Sequence, residues 1–519
     1  MSKLLNRIIY LPLVASIIII ILLTNFLMDD WGQLGGGLTY RQQVSDWTDL
    51  WAFRPISWVT IPGLVHALRD SYVLLSTVHL ALISYSYIEI SNWRIFAFSK
   101  RQKLLTRYLL FSPAIASSLF FSPINQLSAS LSLLFFGLAL QVERRNLKPA
   151  FKNILIPTLF VLSLFSYEIT APLILTYYLM NSRRERKGYL ILQAMFVFVT
   201  IVSWQKLIAP NLFSSDFSRI RAINPGAGIS LFFSTFISFP FSLLTSLFDS
   251  GRLLLILFLS VLIFLYSRNL SSSVNAPNHK FVSFVLFIGI ASSSLLFIFA
   301  GAFSQINGYQ NRGMSGVWIL ISLLLATRYE QCGNLGRYLI ILVVSTNFFV
   351  FSGKVVESIE ASKAREKVVS QVSEFFAASG DIAPVVFLEL PCVMPAGGYK
   401  TEVFCTTWDA LGAMKASGLR ISNVSPIGDP SFLGNWESKD IPAGSLNFKF
   451  GNNFELEEIS EAGLDDPKFR IELLEAGRRQ LFEVENRKQS CKDLAKTLVD
   501  NDFQFDWAEV VRCASDPFT

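Results

Sequence analysis

Along the first 351 residues, long apolar runs alternate with short basic clusters. Runs that are apolar on every face do not fit a half-wet surface helix, and runs near 20 residues match the thickness of a bilayer. The first, Ile8–Leu27, is followed by Asp29-Asp30-Trp31 with no small-x-small cleavage site. An uncleaved membrane helix is therefore expected rather than a signal peptide. The clusters Arg94–Arg107, Glu143–Lys152, Arg183–Lys187, Arg268–Lys280 and Arg328–Arg337 read as cytoplasmic loops, which are enriched in Lys and Arg. On that reading residues 28–71 lie outside, with the tips near Pro123, Tyr167 and Gln305–Arg312 and everything after Phe351.

Two stretches need an even number of passes. Ile154–Met180 lies between two basic clusters and is expected to form a hairpin of short helices with Ser166-Tyr167-Glu168 at its outer tip. Leu231–Phe248, broken at Pro240, is expected as a re-entrant or interfacial pair. The pattern predicts an α-helical polytopic membrane protein of roughly 10 to 13 spans.

After Phe351 the pattern becomes mixed. Helices are expected over Lys354–Ala378, Trp408–Ala416, Pro467–Glu485 and Cys491–Leu498, and strands over Ala383–Leu390 and Asn447–Phe450. The chain thus divides into a transmembrane part, 1–353, and a small α/β or α+β extracytoplasmic domain, 354–519, of ordinary domain size. A bacterial inner membrane with a periplasmic tail is the expected location.

Composition sharpens this division. Hydrophobic residues make up 52%, charged residues only 16%, and the mean hydropathy is +0.44. A soluble surface needs roughly a quarter charged residues, so a soluble enzyme and a nucleic-acid binder are excluded. Residues 1–353 hold 27 Lys and Arg against 12 Asp and Glu, and residues 354–519 hold 18 against 27. The membrane part is basic and the tail acidic, so the net charge of +6 describes loops, not a nucleic-acid surface. Of five Cys, four (Cys392, Cys405, Cys491, Cys513) lie in the tail. Two disulfides fit an oxidising compartment, and Cys392–Cys405 with Cys491–Cys513 is the most local of three pairings. A zinc site is the rival, but there is no CxxC and no His in the tail.

Candidate chemistry gathers in the expected outer segments. Five of the 12 acids in the membrane part, Asp29, Asp30, Asp46, Asp49 and Asp70, fall in one loop. Wet loops carry charge, which accounts for the last three. Asp29 and Asp30 stand at the membrane boundary, where a partly desolvated carboxylate suits general-base work. In Phe53-Arg54-Pro55-Ile56-Ser57-Trp58, Arg54 is a phosphate ligand or an interfacial anchor among Trp47, Trp51 and Trp58. Glu168, between two apolar runs, is a functional acid or a solvated turn residue. Arg312, in Gln305–Gly313, is a second phosphate candidate or a headgroup anchor, and Arg219 and Arg221 are weaker ones.

Asp-Asp after the first span, Arg-Pro-Ile-Ser before the second, and Leu-Phe-Ser-Tyr-Glu-Ile-Thr between apolar runs occur in that order. In this the chain resembles the GT-C superfamily of integral-membrane glycosyltransferases, closest to the O-mannosyltransferase-like branch, over roughly residues 1–330. It departs in having Tyr167-Glu168 where the branch has Lys-Glu, and Asn311-Arg312 where an outer loop has Glu-Arg. The resemblance implies a polyprenyl-phosphate-linked sugar donor and an extracytoplasmic glycan, lipid or protein acceptor, with inverting transfer. It implies Asp29 or Asp30 as base, Arg54 and Arg312 on the phosphate, and Glu168, beside Tyr167, on the sugar or orienting an arginine. A divalent cation at Asp29 and Asp30 occurs in the superfamily at large; no cofactor is otherwise expected. The competing readings are a flippase or transporter of lipid-linked glycans, an envelope glycan polymerase or ligase, and a non-catalytic scaffold. A transporter predicts mid-span ionisable groups and an internal repeat, whereas the acids crowd the first loop.

Overall fold

The computed structural model describes residues 2–26, 30, 41, 44, 54–68, 71–124, 126–182, 187–212, 252–268, 279–300 and 313–379, and in the tail 385–387, 407–417, 419, 424–426, 446–450 and 456–459. Asp29, Arg312, Arg219, Arg221, the Pro240 run, all four tail cysteines and the two last expected helices lie outside the described residues.

The chain is predominantly helical. The helices are α1 (Ser2–Leu23), α2 (Pro55–Leu68), α3 (Tyr72–Ser91), α4 (Lys100–Phe111), α5 (Leu127–Arg144), α6 (Pro149–Ser166), α7 (Ala171–Asn181), α8 (Lys187–Ser203), α9 (Arg252–Arg268), α10 (His279–Ala300), α11 (Ser315–Tyr329) and α12 (Asn334–Ser379). Among the described residues four stretches are long and apolar enough to cross a membrane: Tyr72–Phe96, Leu127–Arg144, Pro149–Ser166 and Asn334–Phe375. Six shorter apolar helices accompany them, including Pro55–Leu68 and Ser315–Tyr329. This is a membrane protein by the length and composition of its helices.

Three expectations are revised. The basic stretch Arg94–Arg107 is not a plain loop: a 3-10 turn at Arg94–Phe96 leads into α4. The cause is a capping box, with Ser99 Oγ accepting from Gln102 N at 3.2 Å and Gln102 Oε1 accepting from Ser99 N at 2.9 Å. Leu104, Leu105, Leu109 and Leu110 then bury the apolar face of the helix. The stretch expected as a hairpin, Ile154–Met180, is two helices joined through a 3-10 turn, and the first starts at Pro149 and is itself of spanning length. The helix expected from Lys354 is the second half of α12, which runs unbroken from Asn334 through the 353/354 boundary. At 1.5 Å per residue its 46 residues reach about 69 Å, against roughly 30 Å of hydrocarbon.

Hydroxyls knit the bundle where α5 begins. Ser128 Oγ meets Ser57 Oγ of α2 at 3.0 Å, and Ser130 Oγ meets His79 Nδ1 of α3 at 3.2 Å. Ser132 Oγ donates to the Tyr167 carbonyl at 2.7 Å. Small residues permit this approach: Gly137 of α5 lies against the Ser86 backbone of α3. In the tail, α13 (Thr407–Ala416) accompanies four strands, β1 (Val385–Phe387), β2 (Val424–Pro426), β3 (Leu446–Phe450) and β4 (Leu456–Ile459). They pair in the order β2-β1-β3-β4, with β1 parallel to β2 and β3, and β3 antiparallel to β4.

Candidate functional site

Three of the expected site residues, Arg54, Tyr167 and Glu168, meet at the turn between α6 and α7. Tyr167 is extended, at φ −166 and ψ 143, and closes α6; Glu168–Thr170 make one 3-10 turn before α7. Ser132 Oγ holds the Tyr167 carbonyl, and Thr170 Oγ1 lies 2.7 Å from Ser163 Oγ and 3.0 Å from Ser132 Oγ. Ser132, Ser163 and Thr170 are all fully buried. A turn pinned by a buried hydroxyl network presents its acid in one direction.

That acid meets Arg54. Arg54 Nη2 donates to Glu168 Oε2 at 2.9 Å and Nε to the same oxygen at 3.3 Å. The guanidinium also sits over the Tyr167 ring, 4.0 Å from its centroid. Its carbon plane thus stacks while its N–H edge pairs, a use of arginine that lysine does not offer. The Arg54 side chain is 11% exposed and that of Glu168 25%, so the pair is half-buried and reachable from solvent. Arg54 directly precedes α2 and is positioned through it: Ser57 N donates to the Arg54 carbonyl at 3.0 Å, and Ser57 Oγ to the Ser166 carbonyl at 3.1 Å. Glu168 is thus an ion-paired acid at its turn and not a free, solvated one.

Asp30 is fully buried. Its Oδ1 accepts from Ser122 Oγ at 2.8 Å and from Ile124 N at 3.1 Å, so it ties the first loop to the Pro123 tip. Phe26, Ile61, Tyr72 and Ile124 share one apolar cluster with Leu127 of α5. The cluster joins the Asp30 contact to α2 and places it at the same end of the bundle as Arg54 and Glu168. Asp29 and Arg312 lie outside the described residues. Gly316, four residues after Arg312, lies on the Ile169 carbonyl, where a Cβ would fall far inside contact distance. Among the described residues no group of three or more His, Cys, Asp or Glu gathers to hold a metal.

Sequence reading missed the residues that steady this end. From α12, Arg365 Nη1 donates to the Phe26 carbonyl at 3.1 Å, Ser362 Oγ accepts from Asn25 N at 3.0 Å, and Glu366 Oε1 accepts from Asn25 Nδ2 at 2.9 Å. Lys354 Nζ donates to the Ala114 carbonyl at 2.8 Å, and Asn347 Oδ1 accepts from Ala114 N at 2.8 Å. Arg365 is 1% exposed, a charge buried against a carbonyl. Unexplained charge on a helix just past an apolar run was the available signal. No protein-family model, curated protein or solved structure matches this chain.

Proposed function

We propose that this protein is a GT-C-like membrane glycosyltransferase that moves a sugar from a polyprenyl-phosphate donor to an acceptor hydroxyl. The observation that carries the reading is the Arg54–Glu168 pair stacked on Tyr167, at the end of the bundle where Asp30 anchors the first loop. A lipid-linked donor keeps its chains in the bilayer and its phosphate at the interface. Catalysis there needs a fixed cation at the leaving phosphate and a carboxylate beyond the anomeric carbon.

In this reading Asp29 takes the proton of the acceptor hydroxyl as its oxygen attacks the anomeric carbon. The bond from that carbon to the phosphate oxygen breaks, configuration inverts, and polyprenyl phosphate leaves. Arg54 stabilises the departing charge, with Glu168 orienting its guanidinium, and Arg312, just ahead of the turn that opens α11, supplies a second cation. Asp30, engaged at the Pro123 tip, positions Asp29. The multi-pass topology, an outward-facing site, and an extracytoplasmic α/β domain over 354–519 belong to the same proposal.

The test is transfer from a polyprenyl-phosphate sugar by full-length protein in liposomes. Asp29→Asn is expected to abolish transfer, and Asp30→Asn to reduce it. Wild-type rates from both variants would reject the assignment.

A further inference from the structure

At the far end of the bundle from Arg54 and Glu168, three cations gather around one acid that the transfer reaction does not use. Arg144, the last residue of α5, lies sixteen residues after Ser128, the partner of Ser57, or about 24 Å along the axis. Its Nη2 donates to Glu89 Oε1 at 3.0 Å and lies 2.9 Å from Oε2. Arg107 of α4 reaches hydroxyls: its Nε donates to Ser91 Oγ at 3.2 Å and its Nη1 to the Tyr10 hydroxyl at 3.4 Å. Lys103 lies one turn before Arg107 on the same helix. Burial, and after it the charges of Arg107 and Arg144 nearby, push the Lys103 amine below its usual range. The three cations thus share one neighbourhood, and Lys103 and Arg107 are both half-buried.

Helix ends do not account for this gathering. Arg144 closes α5, where a cation is favoured, but Lys103 stands in the N-terminal part of α4 behind Lys100 and Arg101, at the positive end of that helix. Glu89 is engaged by Arg144, and among the described residues neither Lys103 nor Arg107 pairs with a carboxylate. Three cations therefore face one acid, an excess of two positive charges. An apolar surface adjoins them. Tyr10, which Arg107 touches, heads a stripe on α1 in which Leu11, Val14, Ile18 and Leu22, at spacings of three and four, are all exposed. The other side of α1, with Ile9, Leu13 and Ile20, is buried in the core. Uncompensated cations beside a long apolar stripe match an anionic amphiphile, head on the charges and chains along the helix. A phosphomonoester carries about two negative charges at pH 7, which balances the excess; a phosphodiester carries one and leaves a cation over.

We propose that Lys103, Arg107 and Arg144 hold the phosphomonoester head group of a membrane lipid whose chains lie along the exposed face of α1. The site stands whether or not the transfer reaction is correct. The test is native mass spectrometry of full-length protein in detergent micelles, with phosphatidic acid, phosphatidylglycerol and phosphatidylcholine as probes. Phosphatidic acid is expected to bind about tenfold more tightly than phosphatidylcholine, and more tightly than phosphatidylglycerol. Lys103→Gln changes a half-buried side chain with no hydrogen bond among the described residues, so the fold is expected to survive it. It is expected to weaken phosphatidic acid binding about tenfold and to leave phosphatidylcholine unchanged. Equal affinity of the wild type for phosphatidic acid and phosphatidylcholine overturns the proposal, as does unaltered phosphatidic acid binding by Lys103→Gln. Phosphatidylglycerol binding as tightly as phosphatidic acid overturns the phosphomonoester assignment. Glycerol 3-phosphate at equal concentration is expected not to displace the lipid, and displacement overturns the lipid source.

Discussion

Arg54 makes two kinds of contact with one side chain: a forked ion pair with Glu168 and a stack on Tyr167. Lysine would keep the charge and lose both the fork and the plane. Arg54→Lys is therefore expected to impair transfer about as much as Glu168→Gln does. Because each partner acts through the other, the double variant should lose little more than either single one. A double-mutant cycle on unfolding in detergent is expected to give a coupling of about 1–3 kcal/mol, toward the lower end because both groups are partly solvated. Additive losses would mean that the pair does not act as a unit.

Among the elements, the 3-10 turn Glu168–Thr170 is the one whose placement matters most. It is held on one side by the serines of α5 and α6 and on the other by α11, where Gly316 lies on the Ile169 carbonyl. A methyl group there must push the turn or the helix aside, and overpacking of this kind costs about 1–3 kcal/mol. Gly316→Ala is expected to lower the thermal midpoint and to reduce transfer together. Gly188→Ala, where an added Cβ meets nothing within 4 Å, is the matched control and is expected to leave both unchanged. Ser132→Ala is expected to loosen the turn, because the Tyr167 carbonyl then loses its donor; amide exchange across residues 167–170 reads this directly.

For the molecule as a whole, α12 acts as a strut. Its length outruns a bilayer, and its polar half reaches back to residues 25 and 26 and to Ala114. It thereby links the segment ahead of the acidic pair to the segment ahead of the Pro123 tip, the two parts that Asp30 joins. Arg365→Ala is expected to raise amide exchange at residues 24–26 and, through Asp30, at residues 122–124. Asn347→Leu, which removes the acceptor for Ala114 N, is expected to raise exchange first at 112–116. Protection that changes in neither segment on loss of Arg365 would show that α12 only passes nearby.

The apolar runs were enough to make this a membrane protein, because no soluble surface tolerates so little charge and only a bilayer rewards such lengths. The same pattern located the break between α6 and α7 and singled out Arg54, Tyr167 and Glu168, since charge between apolar runs is costly without a purpose. It misread Arg94–Arg107, where basic residues on one face hid the buried leucines of α4. Pairing was beyond its reach. Arg54 and Glu168 are 114 positions apart, Phe26 and Arg365 339, and Asp30 and Ile124 94. Such contacts depend on which helices lie side by side, and that is settled by packing of small residues and by satisfaction of buried polar groups, neither of which leaves a local period in the chain.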